Sequence, residues 1–395
     1  MNTYLLNICL FKHYVYFNKD EKHCFFLNFF RNLNIFFFLM IFMLMKSIEI
    51  NGAMHEGGGQ ILRTSIGMSA FTGKPVKIFN IRAKRCNPGI MPQHYEAINA
   101  VAKISNAELS NYFIGSKEIE FIPKKLQAKK IDLSISSAGS IALVLQAIMF
   151  AVLNLKKGKV KINVNGGAVC GKWAAPLNYV KNVLIPVLAR FSYSARINIT
   201  KYGYYPKGGG KSIVEIMPSK LRLINLLERG SLINIYGIAH ASKELKDKRV
   251  AERMCKSASK ILNEEISIKP SINVVYVDSM CKGCGIELFA RFDNTILGSD
   301  GLGERKIRAE DVGEFAARKL IKQIRSNGCA DEYLADQIIP YMAISAIKNA
   351  EKSQVSVAEI TSHAETNIKI VEKFLPIKFK IDKKNKRVIC AVKHE

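Results

Sequence analysis

Three stretches of this chain concentrate side chains that could handle phosphate. In Asn51-Gly-Ala-Met-His-Glu-Gly-Gly-Gly-Gln-Ile-Leu-Arg-Thr64, three consecutive glycines precede an apolar helix start. Glycines there let backbone N–H groups approach an anion closely, at the positive end of a helix dipole. Glu56 offers a carboxylate for a divalent cation, and Arg63 offers a guanidinium for phosphate. A tight turn accounts for the glycines equally well. In Ile81-Arg-Ala-Lys-Arg-Cys-Asn-Pro-Gly89, followed by Gln93 and His94, the cations Arg82, Lys84 and Arg85 sit in a strand-exit loop. A rigid scaffold presents ligand-binding groups on such loops, although a solvated basic loop reads the same way. The third stretch pairs Asp331-Glu-Tyr-Leu-Ala-Asp-Gln337 with Ser362-His363-Ala-Glu-Thr-Asn367. A lone histidine before a helix more often caps or packs than attacks. His363 gains weight because its strand-to-helix loop is the counterpart of the Arg82/Arg85 loop in a repeated unit.

Two other motifs invite chemistry and give less. Tyr202-Gly-Tyr-Tyr-Pro-Lys-Gly-Gly-Gly-Lys-Ser212 resembles a P-loop, but that pattern needs glycine where Tyr205 stands, so a turn with a basic flank is the reading. Cys281-Lys-Gly-Cys284 is half a zinc site or a redox pair at most, with no second half nearby, and reads as structural. The nine cysteines are an odd number without framework spacing, which points to free thiols in a cytoplasmic protein.

The elements that must position these residues repeat. Lys74–Asn80 alternates like a strand and leads through a Gly/Pro loop into a helical segment near Tyr95; Val160–Asn165 leads likewise into a helix near Tyr179. Val76 to Tyr95 and Val160 to Tyr179 are both 19 residues apart, and the units are offset by 84. A third version, Val355–Ile360 followed by a helix over Asn367–Leu375, arrives about 111 residues late for that period. The delay predicts an insertion, and 229–308 carries its own strand, helix and two further strands. The expected architecture is α/β (α+β), a main body of three repeated units with a smaller inserted α/β domain. The spans are 45–228 for the first two units, 229–308 for the insertion and 309–395 for the rest of the body.

Composition bounds the function. The chain has 395 residues, 48% hydrophobic and 23% charged, which excludes disordered and fibrous classes. Its 59 Lys+Arg against 33 Asp+Glu give +26, favouring nucleic acid, anionic lipid or phosphorylated substrates. Residues 1–44 differ from the rest: they lack Gly, Ala and Pro and hold 10 of the 21 Phe. Their apolar run, Ile35 to Met45, is 11 residues long, shorter than the roughly 17–25 a spanning helix needs. The expectation is that translation starts at Met45 and that 1–44 is upstream DNA read as protein, leaving a body of +24. A weak membrane segment is the alternative.

Taken in order, EGGGQILRTS, IRAKRCNPGI with PQH, YPKGGG, ERKIRAEDVGE, EYLADQ and SHAETN resemble the RNA 3′-terminal phosphate cyclase family. The resemblance runs from Met45 to the C-terminus. It implies three βαβαββ-like units with an inserted domain. It also implies ATP-dependent conversion of an RNA 3′-phosphate to a 2′,3′-cyclic phosphate through a covalent histidinyl-AMP and an RNA 3′-pp-5′-A intermediate. His363 falls on the AMP-accepting nucleophile, and Glu56 on the residue holding Mg²⁺ or Mn²⁺ at the ATP phosphates. Arg63, Arg82 and Arg85 fall on the triphosphate and RNA-phosphate cluster, Gln93 and His94 beside the phosphates, and Asp336 and Gln337 beside the nucleophile. Tyr333 and Pro176 match positions lining base and sugar, although Trp173-Ala-Ala-Pro176 departs from the family's double proline. The basic body suits RNA ends, because phosphate contacts supply sequence-independent affinity.

Two alternatives come with the resemblance. A non-catalytic cyclase-like protein of ribosomal RNA processing would lack the nucleophilic histidine, whereas His363 is present. An enolpyruvyl transferase uses similar repeats on small phosphorylated metabolites, but it needs neither the histidine nor the insertion.

Overall fold

The short strands of this chain alternate in burial, as a sheet covered on one face by helices requires: in Val76–Phe79, Val76 and Ile78 are buried while Lys77 is exposed. The computed structural model describes residues 47–172 and 174–393. The readings made for 1–44 and for Trp173 lie outside the described residues.

The first unit runs β1 (Ile48–Asn51), α1 (Gly59–Thr72), β2 (Val76–Phe79), α2 (Pro92–Ser105), β3 (Glu108–Ser110) and β4 (Ile119–Ile122). Its sheet order is β1-β2-β4-β3, with β1 and β2 parallel and the other pairs antiparallel. The second unit repeats the plan with β5 (Lys130–Ser140), α3 (Ile141–Ala151), β6 (Val160–Ala168), α4, β7 (Ala195–Lys201) and β8 (Lys211–Ile216). Here α4 is a continuous helical run, Leu177–Tyr179, a π-helical turn Val180–Leu184, and Ile185–Ala189. Pro186 lies just past the wide turn; it lacks an N–H and its ring crowds the carbonyl four residues back, on Asn182. That carbonyl accepts instead from the Tyr236 hydroxyl at 3.4 Å.

The third unit opens earlier than the sequence pattern suggests. Its first strand, β9 (Asn225–Leu226), pairs in parallel with a strand more than a hundred residues downstream. Between them come β10 (Leu232–Ser242), α5 (Val250–Ile266), β11 (Ser271–Val277), β12 (Cys284–Phe292), β13 (Ile296–Leu302) and α6 (Ala309–Arg325). The unit then resumes with α7 (Glu332–Gln337), α8 (Ile339–Asn349), β14 (Ser353–Ser356), α9 (Ser362–Phe374), β15 (Ile377–Asp382) and β16 (Arg387–Val392). Its sheet order, β9-β14-β16-β15, matches those of the first two units. The chain is thus a mixed α/β protein of three βαβαββ units, and the insertion interrupts the third between its first strand and first helix.

The inserted sheet has the order β11-β10-β12-β13, one strand more than the two expected after the helix. That extra strand, β13, is disguised by its glycines. A Cβ on Gly298 would fall 2.6 Å from the Tyr179 ring, and one on Gly301 would fall 2.7 Å from the Val312 carbonyl oxygen. Close approach of neighbours therefore demands residues that read as a turn. A second core, separate from that of the body, joins Ile235, Ala239, Met254, Leu262, Leu288 and Leu297 to Ala316, Leu320 and Ile324 of α6. Helix α6, placed with the body in the sequence reading, therefore packs with the insertion.

The return point is pinned by a buried carboxylate. Asp331 caps α7: its Oδ1 accepts from the amides of Tyr333 and Leu334 at 2.9 Å and from the Tyr179 hydroxyl at 2.6 Å. Its Oδ2 accepts from the amide of Gly298 at 2.7 Å, so one side chain ties α4, β13 and α7 together. Asp331→Ala should lower the unfolding free energy by about 3 kcal/mol, from a lost cap and buried donors left without partners. Denaturant melts of both proteins measure it; a change under about 1 kcal/mol would show that water replaces the carboxylate.

Candidate active site

Helix α1 is buried on nearly every side, packing against α2, α3 and α9. Its N-terminus begins at Gly58 without a side-chain cap and with no acidic residue in the first turn. Its first amides are therefore left for an anion. Beside this end lies His94 of α2, 1% exposed. The Met91 amide donates to His94 Nδ1 at 3.2 Å, which leaves the proton of the neutral ring on Nε2. His94 Nε2 is buried without a hydrogen-bond partner among the described residues. It lies against Gly59, where a Cβ would come within 2.0 Å of it. Burial first, then Arg63 and Arg82, hold His94 well below the ordinary histidine range, so the ring is a neutral donor. An orphaned N–H of this kind at a helix N-terminus fits a phosphate oxygen.

Cationic groups surround the same place. Arg63, 7% exposed, donates through Nε to the neutral Gln146 Oε1 at 3.1 Å. Burial, with Arg82 adding, lowers its guanidinium to about 10, still charged at neutral pH. A buried cation whose hydrogen bond goes to an amide is costly until an anion arrives. Arg82 has the left-handed φ of 55° and donates through Nε and Nη2 to the Asn87 carbonyl at 3.3 and 3.1 Å. Gln93 accepts the Ser140 amide on Oε1 at 3.1 Å, which joins the second unit to this loop.

Helix α9 presents His363 from across the molecule. Its cap Thr361 accepts from the Ala364 amide at 3.0 Å and donates to Asp336 Oδ1. Asn367 Nδ2 donates to the Asp336 carbonyl at 2.8 Å, and Asn367 Oδ1 accepts from Thr64 at 2.7 Å. Gln60 Nε2 reaches the His363 carbonyl at 3.3 Å. The imidazole Nε2 lies 3.5 Å from Glu56 Oε2, and Arg85 Nη2 lies 3.5 Å from the same oxygen. The Ser362 hydroxyl donates to Glu56 Oε1. That bond, with His363 and Arg85 helping against partial burial, keeps the Glu56 carboxyl below its ordinary value. His363 is held below its ordinary value by burial; Glu56 opposes this, and Arg63 and Arg85 add to it. The result is a neutral, half-exposed imidazole beside an ionised carboxylate and a group of arginines.

The structure therefore brings Glu56, Arg85 and His363 into contact, with Arg63, Arg82 and His94 electrostatically coupled around them. Asp336 acts on the cap of α9 rather than on the imidazole, whose carboxylate neighbour is Glu56, and burial pushes Asp336 up to about 7. Gln337 ends α7, half-buried. Tyr333 is engaged elsewhere: its hydroxyl donates to Asp300 at 2.8 Å, Lys319 lies 4.5 Å from its ring centre, and Tyr179 meets it edge-on. Pro176 is buried at the N-cap of α4. Sequence reasoning passed over Gln60, Thr64, Gln146 and Ser362. Gln60, Arg63 and Thr64 share one face at helical spacing, a polar stripe at the start of a mostly apolar helix that could have drawn attention to them.

The family model for RNA 3′-terminal phosphate cyclase matches residues 54–381. The chain is 41% identical over 338 residues to the RNA 3′-terminal phosphate cyclase of Pyrococcus abyssi, covering 85% of this chain and 95% of the relative. It is 40% identical to the same-named protein of Staphylothermus marinus, covering 84% of this chain and 93% of the relative. Against that of Saccharolobus solfataricus it is also 40% identical, over 85% of this chain and 97% of the relative. The chain belongs to the RNA 3′-terminal phosphate cyclase family.

Gly59→Ala tests the phosphate cradle. Its methyl group must displace a ring that is packed on all sides, costing about 1–3 kcal/mol. Melting temperature should fall, and the protection that added inorganic triphosphate gives against thermal unfolding should shrink about tenfold in apparent affinity, for about 1.4 kcal/mol of lost contact. Unchanged protection by the anion, or its absence in the wild type, would show that these groups do not form an anion site.

Proposed function

We propose that this protein converts RNA 3′-terminal phosphates to 2′,3′-cyclic phosphates at the expense of ATP, a ligase forming a phosphoric ester, with His363 as the covalent nucleophile. One observation carries the reading: a neutral imidazole at a helix start, 3.5 Å from Glu56 and flanked by arginines of which, among the described residues, Arg85 alone pairs with a carboxylate. In the first step the imidazole lone pair bonds to the α-phosphorus, and pyrophosphate leaves with the electrons of the bridging P–O bond. An oxygen of the RNA 3′-phosphate then displaces His363, which gives RNA 3′-pp-5′-A. Finally the adjacent 2′-hydroxyl attacks the 3′-phosphorus, and AMP departs as the ring closes. Dividing the reaction replaces a poor leaving group with AMP.

Each residue supports a part of this sequence. Glu56 aligns the imidazole and meets the charge that develops on it. The open amides of α1, the His94 Nε2–H and the Arg63 guanidinium receive phosphate oxygens. Arg82 and Arg85, on the exposed loop, suit the RNA end. Asp336, through Thr361, fixes the start of α9 and with it the position of His363. Glu56 also fits Mg²⁺ or Mn²⁺: its ionised carboxylate is half-exposed, and these ions take a carboxylate or two while keeping water and substrate oxygens. Such an ion neutralises phosphate charge during displacement. No helix among the described residues is long and apolar enough to cross a membrane.

His363→Ala should abolish transfer of label from α-labelled ATP to the protein while its melting temperature stays within a few degrees; label retained in the variant would remove His363 from this role. In the wild type the adduct should be acid-labile and alkali-stable, as a phosphoramidate is. No adduct from folded protein would favour the non-catalytic RNA-processing reading.

The pH profile gives a separate check. Only the neutral imidazole has a lone pair to attack with, and His363 is held below its ordinary value. Adenylation should therefore fall on the acid side with a midpoint below the usual histidine value of about 6.5. Asp336, pushed up to about 7, is the group for a limb nearer neutrality, and Asp336→Asn should remove that limb alone. A His363 midpoint above the ordinary value would mean that Glu56 outweighs burial.

A further inference from the structure

Away from the phosphate cleft, Cys170, His240 and Glu287 bring a sulfur, an imidazole nitrogen and a carboxylate oxygen within 4.8 Å of one another, all fully buried. Cys170 follows β6 of the second unit, whereas His240 and Glu287 stand on the paired strands β10 and β12 of the inserted sheet. Cys170 Sγ is 2.9 Å from Glu287 Oε1 and 3.4 Å from His240 Nε2, and His240 Nε2 is 3.2 Å from Glu287 Oε1. In a tetrahedral zinc site the donor atoms lie roughly 3.4–3.6 Å apart. Two of the three separations are close to that, and the third opens by about half an ångström when a metal enters.

The atoms behind these donors are also in place. With Nε2 turned to the cluster, His240 Nδ1–H faces the Tyr204 hydroxyl at 2.7 Å, the kind of outer partner that fixes a ligating imidazole. The second oxygen of Glu287 accepts from Asn178 Nδ2 at 3.3 Å, and Asn178 Nδ2 is 3.0 Å from the Tyr202 hydroxyl. Among the described residues the ionic partner of Glu287 is His240, with no lysine or arginine paired to it. A thiolate and a carboxylate together bring two negative charges, which a divalent cation balances away from bulk solvent.

We propose that Cys170, His240 and Glu287 form a zinc site that clips the inserted sheet to the second repeat. Thiolate with imidazole selects zinc over magnesium or calcium, so this site is distinct from the ion held at Glu56. Binding releases the Cys170 proton to solvent and places three protein ligands around the metal, with water as the fourth. The clip holds the chain just upstream of Pro176 and the start of α4, the helix whose Tyr179 bonds Asp331.

The full-length protein, stripped with a chelator and titrated with Co²⁺, tests this without reference to RNA or ATP. The wild type should bind about one equivalent with a near-ultraviolet thiolate-to-cobalt absorption band, which Zn²⁺ removes on displacing the cobalt. Absence of that band in the wild type overturns the proposal, since Co²⁺ at Glu56 has no sulfur ligand. Cys170→Ser with a native melting transition should lose the band, and a retained band overturns the assignment. Should Cys170→Ser not fold, the titration moves to a folded Cys281→Ser/Cys284→Ser variant, where the band should persist. Its loss there would assign the sulfur to the CxxC pair and overturn the proposal.

Discussion

The Glu56 carboxylate is the contact on which the site depends. It lies in the first unit, yet it receives the Ser362 hydroxyl on one oxygen and faces His363, both in the third, with the other, which Arg85 also approaches. A carboxylate in that position does two opposed things. It favours the protonated imidazole by charge, and it spaces the imidazole from the arginines. Burial and the cations prevail, so the histidine stays neutral while remaining aligned. The balance exists because α1 and α9 are fastened along their length. Thr64 meets Asn367, and Gln60 meets the His363 carbonyl, side-chain contacts across more than 300 residues of sequence.

Around this contact the protein keeps groups that a purely structural protein would satisfy. Arg63 is buried with an amide for company, His94 has an unpartnered Nε2, and α1 begins without a cap. Each is a cost to folding on its own. Together they form one surface of donors and positive charge, with Glu56 the one carboxylate among the described residues that pairs with it. Under the proposed function, the phosphates of the substrates are what satisfies them. The sparse backbone conformation of Arg82 belongs to the same economy, since strain of this kind collects where ligands bind.

Much of this was legible in the sequence, for reasons that differ by feature. The repeat could be read because Val76 to Tyr95 and Val160 to Tyr179 keep the same spacing, and helices over a sheet enforce it. The glycine run before Gln60, the Arg82/Arg85 loop and the Ser362-His363 loop stood out because they break apolar periodicity where helices begin. The first strand of the third unit was hidden: β9 has two residues, and its partner lies beyond the insertion. Strand β13 was hidden because its glycines answer to neighbours, Tyr179 and Val312, that no local pattern reveals. The partner of Asp336 was likewise out of reach. The family resemblance put it beside the nucleophile, and only the packing of α7 on α9 directs it to Thr361.

An insertion within a repeat, rather than between repeats, would ordinarily threaten the unit it divides. Here it does not, because its two ends return to adjacent positions: Arg229, where it begins, donates to the Ile324 carbonyl and to the Asn327 side chain, where it ends. The entropy of closing so long a loop grows only slowly with length, and a folded insertion fixes the distance between its own ends. The seam is then used twice. Asp331 receives the Gly298 amide from the insertion's last strand and in the same act starts the helix that carries Asp336. Asn178, one residue before the Tyr179 that bonds Asp331, reaches Glu287 on the inserted sheet. A continuous series of contacts therefore runs from the insertion to the cap of α9: Gly298 to Asp331, along α7 to Asp336, and on to Thr361 beside His363.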